Sequence, residues 1–120
     1  MPPYDLTLRT RAFALDVLKF CRTLPKSDEA TEAARQLRRA ANSLRSNYRA
    51  ARKGRSRKEF TSKLGTASEE ADECVDWLQY MRDGRIAKNP SLLQESIELA
   101  KIMAKAYRTA KRNNNDEGGT

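Results

Sequence analysis

The chain has 120 residues, a third of them charged, with a formal net charge of +8 and no histidine. At that length one domain with one modest hydrophobic core is expected. No run of about 18 apolar residues could span a bilayer, and the opening "MPPYDLTLRT" lacks the basic and apolar blocks of a secretory signal, so a cytoplasmic location without membrane contact is the expectation.

Four segments of helical periodicity follow one another, and no strand-like alternation competes with them. The first runs roughly from Leu6 to Leu24 and aligns Leu6, Phe13, Val17, Phe20 and Leu24 on one stripe. Pro25 disfavours helix at the residue before it, and Ser27 or Asp28 can cap a second helix that extends to about Lys53. Its stripe is Ala30, Ala34, Leu37, Ala41, Leu44, Tyr48 and Ala51. Gly54 supplies a stop that tolerates positive φ, and Ser56 with Glu59 forms a capping box for the third helix. That helix turns Phe60, Leu64, Ala67, Ala71, Val75 and Leu78 inward and ends near Asp83-Gly84. In "NPSLLQ", Ser91 with Gln94 repeats the capping pattern. The last helix then buries Leu92 or Leu93, Leu99, Met103, Ala106 and Ala110.

Short connections between helices imply antiparallel neighbours. The expected fold is all-α: an antiparallel up-down-up-down four-helix bundle over residues 1–112, with a disordered polar tail, "NNNDEGGT", over 113–120.

The charge is distributed unevenly. Residues 1–34 hold five basic and five acidic side chains, residues 35–63 hold eleven and one, and residues 64–120 hold eight and ten. The excess therefore sits in the middle of the chain, a pattern that favours an acidic partner or nucleic acid. If the second and third helices fold about Gly54-Arg55, Arg38 lies near Asp72, and Arg35 and Arg39 come within reach of Glu73 and Asp76. No acidic cluster lies level with Arg45, Arg49, Arg52, Lys53, Arg55, Arg57, Lys58 and Lys63. Arg9, Arg11, Arg108, Lys111 and Arg112 fall toward the same end. One pole of the bundle should be strongly positive and suited to phosphate backbones, which are bound chiefly through sequence-independent charge.

A second surface is apolar. Leu8 and Leu15 lie on the side of the first helix opposite Val17, and Trp77 and Tyr80 fall off the third helix's core stripe beside Glu73. Apolar residues outside the core stripes of a small bundle point to self-association or partner docking. Leu8, Leu15, Glu73, Trp77 and Tyr80 are the candidate interface.

Catalytic chemistry lacks its usual parts. Without histidine the commonest general base and metal ligand are missing. Cys21 and Cys74 form no CxxC motif, so no zinc site is expected and both read as reduced, buried thiols. No glycine-rich phosphate loop is present, and Glu69, Glu70 and Glu73 lack the Glu-x-x-His partners of a di-iron bundle. A non-enzyme without cofactor or metal is expected.

The stretch "QLRRAANSLRSNYRAARKGRSRKEFTSKLGTASEEADECVDWL", residues 36–78, together with "RTRAFALDVLKFCRTLP" near the start, resembles the bacterial four-helix-bundle proteins of 23S rRNA intervening sequences. The resemblance rests on "QLRRAANS" at 36–43, Asn47, "RSRKEF" at 55–60 and the segment from Glu69 to Leu78. It implies a compact bundle that assembles as a homopentamer. It also implies a relation to the accessory proteins of diversity-generating retroelements, basic pentameric bundles that work with a reverse transcriptase and nucleic acid. Ala50-Ala51 stand where many members carry Glu-Gly, which places this chain on a separate branch. The expected function is a homo-oligomeric basic bundle that binds RNA or another nucleic acid through its pole. The alternative is an adaptor or scaffold for a protein, such as a reverse transcriptase, whose acidic side chains meet that pole.

Overall fold

A computed structural model describes residues 5–118, and of residues 115–118 the backbone alone. Four helices follow in order: α1 Thr7–Cys21, α2 Asp28–Arg52, α3 Arg57–Asp83 and α4 Pro90–Gly118. They form the expected antiparallel up-down-up-down bundle, about 55 Å long and 23 by 22 Å across. Each helix packs on its neighbours in sequence, α4 closes back on α1, and α1 and α3 lie diagonally apart.

Why the chain turns where it does is visible at each connection. Ser27 caps α2, its hydroxyl accepting from the Ala30 amide at 3.2 Å. Ser56 caps α3 in the same way, accepting from the Glu59 amide at 3.0 Å. The start of α4 differs from expectation, because Asn89, not Ser91, is the cap. Its side-chain oxygen accepts from the Leu92 amide at 3.0 Å, and Pro90 occupies the first helical position, where a missing N–H costs nothing.

The glycine at the α2–α3 turn also acts differently from expectation. Gly54 does not adopt positive φ. A Cβ there would meet the Ala51 carbonyl oxygen at 3.1 Å and the Phe60 nitrogen at 3.3 Å, so the residue is small because the backbone doubles back against itself. Positive φ is found instead at Arg85, with φ 58°. The Ile86 amide donates to the Met81 carbonyl and the Arg85 amide to that of Arg82, the Schellman pattern that ends a helix through one left-handed residue.

The core is lined along α2 by small residues: Ala30, Ala33, Ala34, Ala40, Ala41 and Ala51 are buried, as are Ala67 and Ala71 of α3. Small side chains at a helix contact allow a short interaxial distance. Bulk comes from Leu6, Phe13, Val17 and Phe20 near and within α1, from Leu37, Leu44 and Tyr48 of α2, and from Leu99 and Met103 of α4. Burying such a side chain contributes about 1.5–3 kcal/mol. In α3 the inward position is Cys74, not the expected Val75, which is half-buried outside the core. The stripe continues one turn further, to Met81.

Buried hydroxyls are satisfied locally. Thr10 donates to the Leu6 carbonyl and Ser96 to that of Leu93. These residues therefore pack as small apolar groups, and among the described residues no buried side-chain polar atom lacks a partner.

At the C-terminal end the domain reaches past the expected boundary at 112. The Asn114 side-chain amide donates to the Thr61 hydroxyl at 2.7 Å and to the Arg57 carbonyl at 3.3 Å, pinning α4 to the first turn of α3. The side chains of the expected tail from 115 onward, and residues 119 and 120 altogether, lie outside the described residues.

Two stability changes follow. The Leu6 amide donates to the buried Tyr48 hydroxyl at 3.0 Å, so Tyr48→Phe should cost about 1–3 kcal/mol in urea unfolding by stranding a buried N–H. Arg85→Gly should raise the unfolding free energy, measured in the same way, by about 0.5–1 kcal/mol, because glycine adopts the left-handed region without a Cβ clash.

Candidate nucleic-acid interface

The α2–α3 turn is built from backbone requirements that use none of its charges. The Lys53 and Gly54 amides donate back to the Ala50 and Ala51 carbonyls, and the Phe60 amide donates to the Ser56 carbonyl. Around this frame Arg49, Arg52, Lys53, Arg55, Arg57 and Lys58 are all exposed. Asp5 compensates one of them, 3.6 Å from Arg52. Hydrogen bonds from Thr7, and then the Arg52 charge, hold the Asp5 carboxyl below its usual range. Among the described residues Arg49, Lys53, Arg55, Lys58 and Lys63 form no ion pair.

The Asn114 contacts bring the end of α4 alongside, so Arg108, Lys111 and Arg112, all exposed, face the same end of the molecule. Lys111 stands 5.8 Å over the Tyr107 ring. That ring covers Gly65, where a Cβ would come within 2.9 Å of it. Lys63 is half-buried in the second turn of α3.

Three of the expected pole residues are placed elsewhere. Arg9 turns to α4, donating to Glu95 at 2.8 and 2.7 Å and to Glu98 at 3.2 Å. Arg11 instead lines a groove between α1 and α2, with Ala14, Leu15 and Leu18 on its own helix and Arg38, Asn42 and Arg45 opposite. Arg45, expected at the pole, is half-buried in this groove.

The expected cross-helix neutralisation of α2 by the acidic run of α3 does not form. Arg38 faces α1, where it partly offsets the upward shift that burial imposes on the Cys21 thiol. Arg35 is held by Glu32 one turn back on its own helix, at 2.7 Å. The reason is rotational: Arg38, Arg45 and Arg52 recur at heptad intervals, which keeps them on one flank of a packed helix, and that flank adjoins α1. The heptad spacing was present in the sequence, but nothing there indicated which neighbour the flank would meet.

The acidic side chains of α3 consequently stay at the surface. Glu69, Asp72, Glu73 and Asp76 are exposed. Cys74 beneath them is buried, and its thiol is pushed far up by burial and then by the charges of Glu70 and Glu73. Such a thiol is inert. Among the described residues no group of three or more carboxylates and thiols is placed to hold a metal ion, and no helix is long and apolar enough to cross a membrane.

Of the candidate interface residues, Leu8, Leu15 and Tyr80 are 79%, 44% and 60% exposed, and they are the large exposed hydrophobics of the described chain. Trp77 differs from expectation, because it is half-buried and packs against the core. It meets Tyr80 edge-on, with ring centroids 5.5 Å apart. Leu8 and Leu15 on α1 and Tyr80 on α3 thus lie on diagonally opposite helices.

The sequence profile of a family described as "23S rRNA-intervening sequence protein" matches residues 4–105. Among solved structures the chain is similar to a protein of unknown function from the S23 ribosomal protein family of Bacteroides thetaiotaomicron. The two share 23% identity over 86% of this chain and 95% of that one, with a TM-score of 0.78. At that identity the likeness speaks for the fold. No curated protein matches the chain.

The Arg9–Glu95 pair gives the contact between α1 and α4 a pH signature. Arg9, chiefly by hydrogen bonding, holds the Glu95 carboxyl below its ordinary value. A lowered folded-state pKa contributes stability above the unfolded value of about 4.3, which is lost as pH falls through the folded value. Wild type should therefore be more stable than Glu95→Gln at neutral pH, and urea midpoints measured against pH should converge as pH falls through the lowered folded-state value.

Proposed function

The chain belongs to the family of 23S rRNA-intervening sequence proteins, and on that premise we propose that it is a non-catalytic, self-associating bundle that binds nucleic acid, RNA first among candidates, through its basic pole. The observation that carries the reading is the lack of ion-pair partners, among the described residues, for four charges at the α2–α3 turn. Arg49, Lys53, Arg55 and Lys58 project from a turn whose backbone needs only Gly54 and Ser56. Nothing in the turn's construction would be lost if those four were neutral.

Charge of this kind binds phosphates by releasing condensed counterions, so it gives affinity without sequence preference. No base-reading role is assigned, because the turn carries no aromatic platform on which an unstacked base could lie. Self-association rests on the exposed Leu8, Leu15 and Tyr80. Five copies, and service beside a reverse transcriptase, are the assembly and setting that the family resemblance favours. Repetition of the pole around an assembly would raise avidity for a long polyanion without any new contact.

Binding to labelled oligouridine at increasing salt tests this proposal. Wild type should lose affinity steeply with salt. Replacing Arg49, Lys53, Arg55 and Lys58 with Ser should weaken binding uniformly across sequences and reduce the log–log slope by about 3, at roughly 0.7 per lost phosphate contact. Unchanged binding in that variant would sink the nucleic-acid reading and favour an acidic protein as the pole's target.

A further inference from the structure

On α1, Leu8, Arg11 and Leu15 are exposed and recur at intervals that stack them on one helix face. Beside them the α1–α2 groove adds Arg38 and Arg45. On α3, Glu69, Glu73, Asp76 and Tyr80 are exposed and likewise share a face. One surface is leucine with arginine, and the other is tyrosine with carboxylates. They are carried by diagonal helices, so they face away from each other within a single chain.

We infer that the arginine-lined α1–α2 groove of one copy receives the acidic α3 ridge of the next copy. The inference rests on the self-association proposed above and specifies the surfaces through which it occurs.

Charge complementarity selects the pairing. A twofold dimer would place the same patch against itself, setting groove arginines against arginines or ridge carboxylates against carboxylates. Groove against ridge is instead a heterologous contact, which joins successive copies head to tail.

The register of the helices sets which charges come level. Leu6 bonded to Tyr48, and Cys21 lying 3.7 Å from the Ala34 carbonyl oxygen, fix the level of α1 against α2. The turn at Gly54, and the recess shared by Glu29, Asp76 and Tyr80, fix α2 against α3. In this register Arg38 stands within about one turn of Asp72 and Glu73, and Arg11 within about one turn of Glu69. Opposite charges are therefore brought within reach of one another across the contact.

Charge reversal tests the pairing, read by light scattering, with circular dichroism to confirm that each variant is folded. Arg11, Arg38 and Arg45 changed together to Glu should shift wild-type oligomer to the 13.6 kDa monomer. Glu69, Glu73 and Asp76 changed together to Arg should do the same. A chain carrying both sets of changes restores opposite charges across the contact and should reassemble, and wild-type assembly should weaken with salt. If wild type assembles but neither reversal disturbs it, this pairing is overturned while self-association stands. Loss in both single sets without recovery in the combined chain would also overturn it. So would a groove variant that stays oligomeric yet loses oligouridine binding, because the groove would then hold nucleic acid. A wild-type monomer at every concentration would remove both the pairing and the self-association beneath it.

Discussion

The tight fold of α2 back onto α3 about Gly54 is the constraint from which the rest of the molecule follows. Ala30, Ala33, Ala34, Ala40 and Ala41 on one side, with Ala67 and Ala71 on the other, give the two longest-buried seams little bulk. The turn itself leaves little room for a Cβ between Ala51 and Phe60. Register between these helices is thus set by a backbone approach, and every charge on them acquires a fixed level. The larger side chains of α1 and α4 then fill the remaining core from the outer sides.

That arrangement explains why charge segregates as it does. The residues facing the α2–α3 seam are small and apolar, so long charged side chains can occupy only the flanks and outer faces. Arg38 and Arg45 are displaced to the α1 flank, and Glu69, Glu73 and Asp76 to the outer face of α3. Salt bridging within the chain occurs at the edges, as in Arg9 with Glu95 and Arg35 with Glu32. Pairs that exposed contribute about 0–1 kcal/mol at most, so the charge pattern adds little to folding and is available for contacts between molecules. The basic turn and the arginine groove are two distinct positive surfaces with different geometry. The turn is convex and solvated, open to an extended polyanion, whereas the groove is partly apolar and suited to a shaped partner.

Most of the fold was legible because a 3.6-residue period and short connections leave few alternatives for a chain of this length. The differences were local and each has a geometric cause. Ser91 and Asn89 both suit a cap, and Pro90 decides in favour of Asn89, since proline fits the position just inside the helix. Cys74 replaces Val75 because a helix pressed on two neighbours drifts relative to an ideal stripe. Gly54 was read as a left-handed residue, but its smallness serves a close backbone approach, and the left-handed position fell on Arg85.

By itself, the sequence determined the four helices, their antiparallel order, the inward residues of α2, the exposure of Leu8, Leu15 and Tyr80, and the concentration of positive charge at the α2–α3 turn. These are properties of one-dimensional spacing and composition. The tertiary structure alone decided which charges meet. Whether Arg38 turns to Asp72 or to α1, whether Arg9 joins the pole or pairs with Glu95, and whether Trp77 is a surface or a core residue depend on how each helix is rotated about its axis. Rotation is set by packing against two neighbours at once, so a periodic pattern read along a single helix does not contain it.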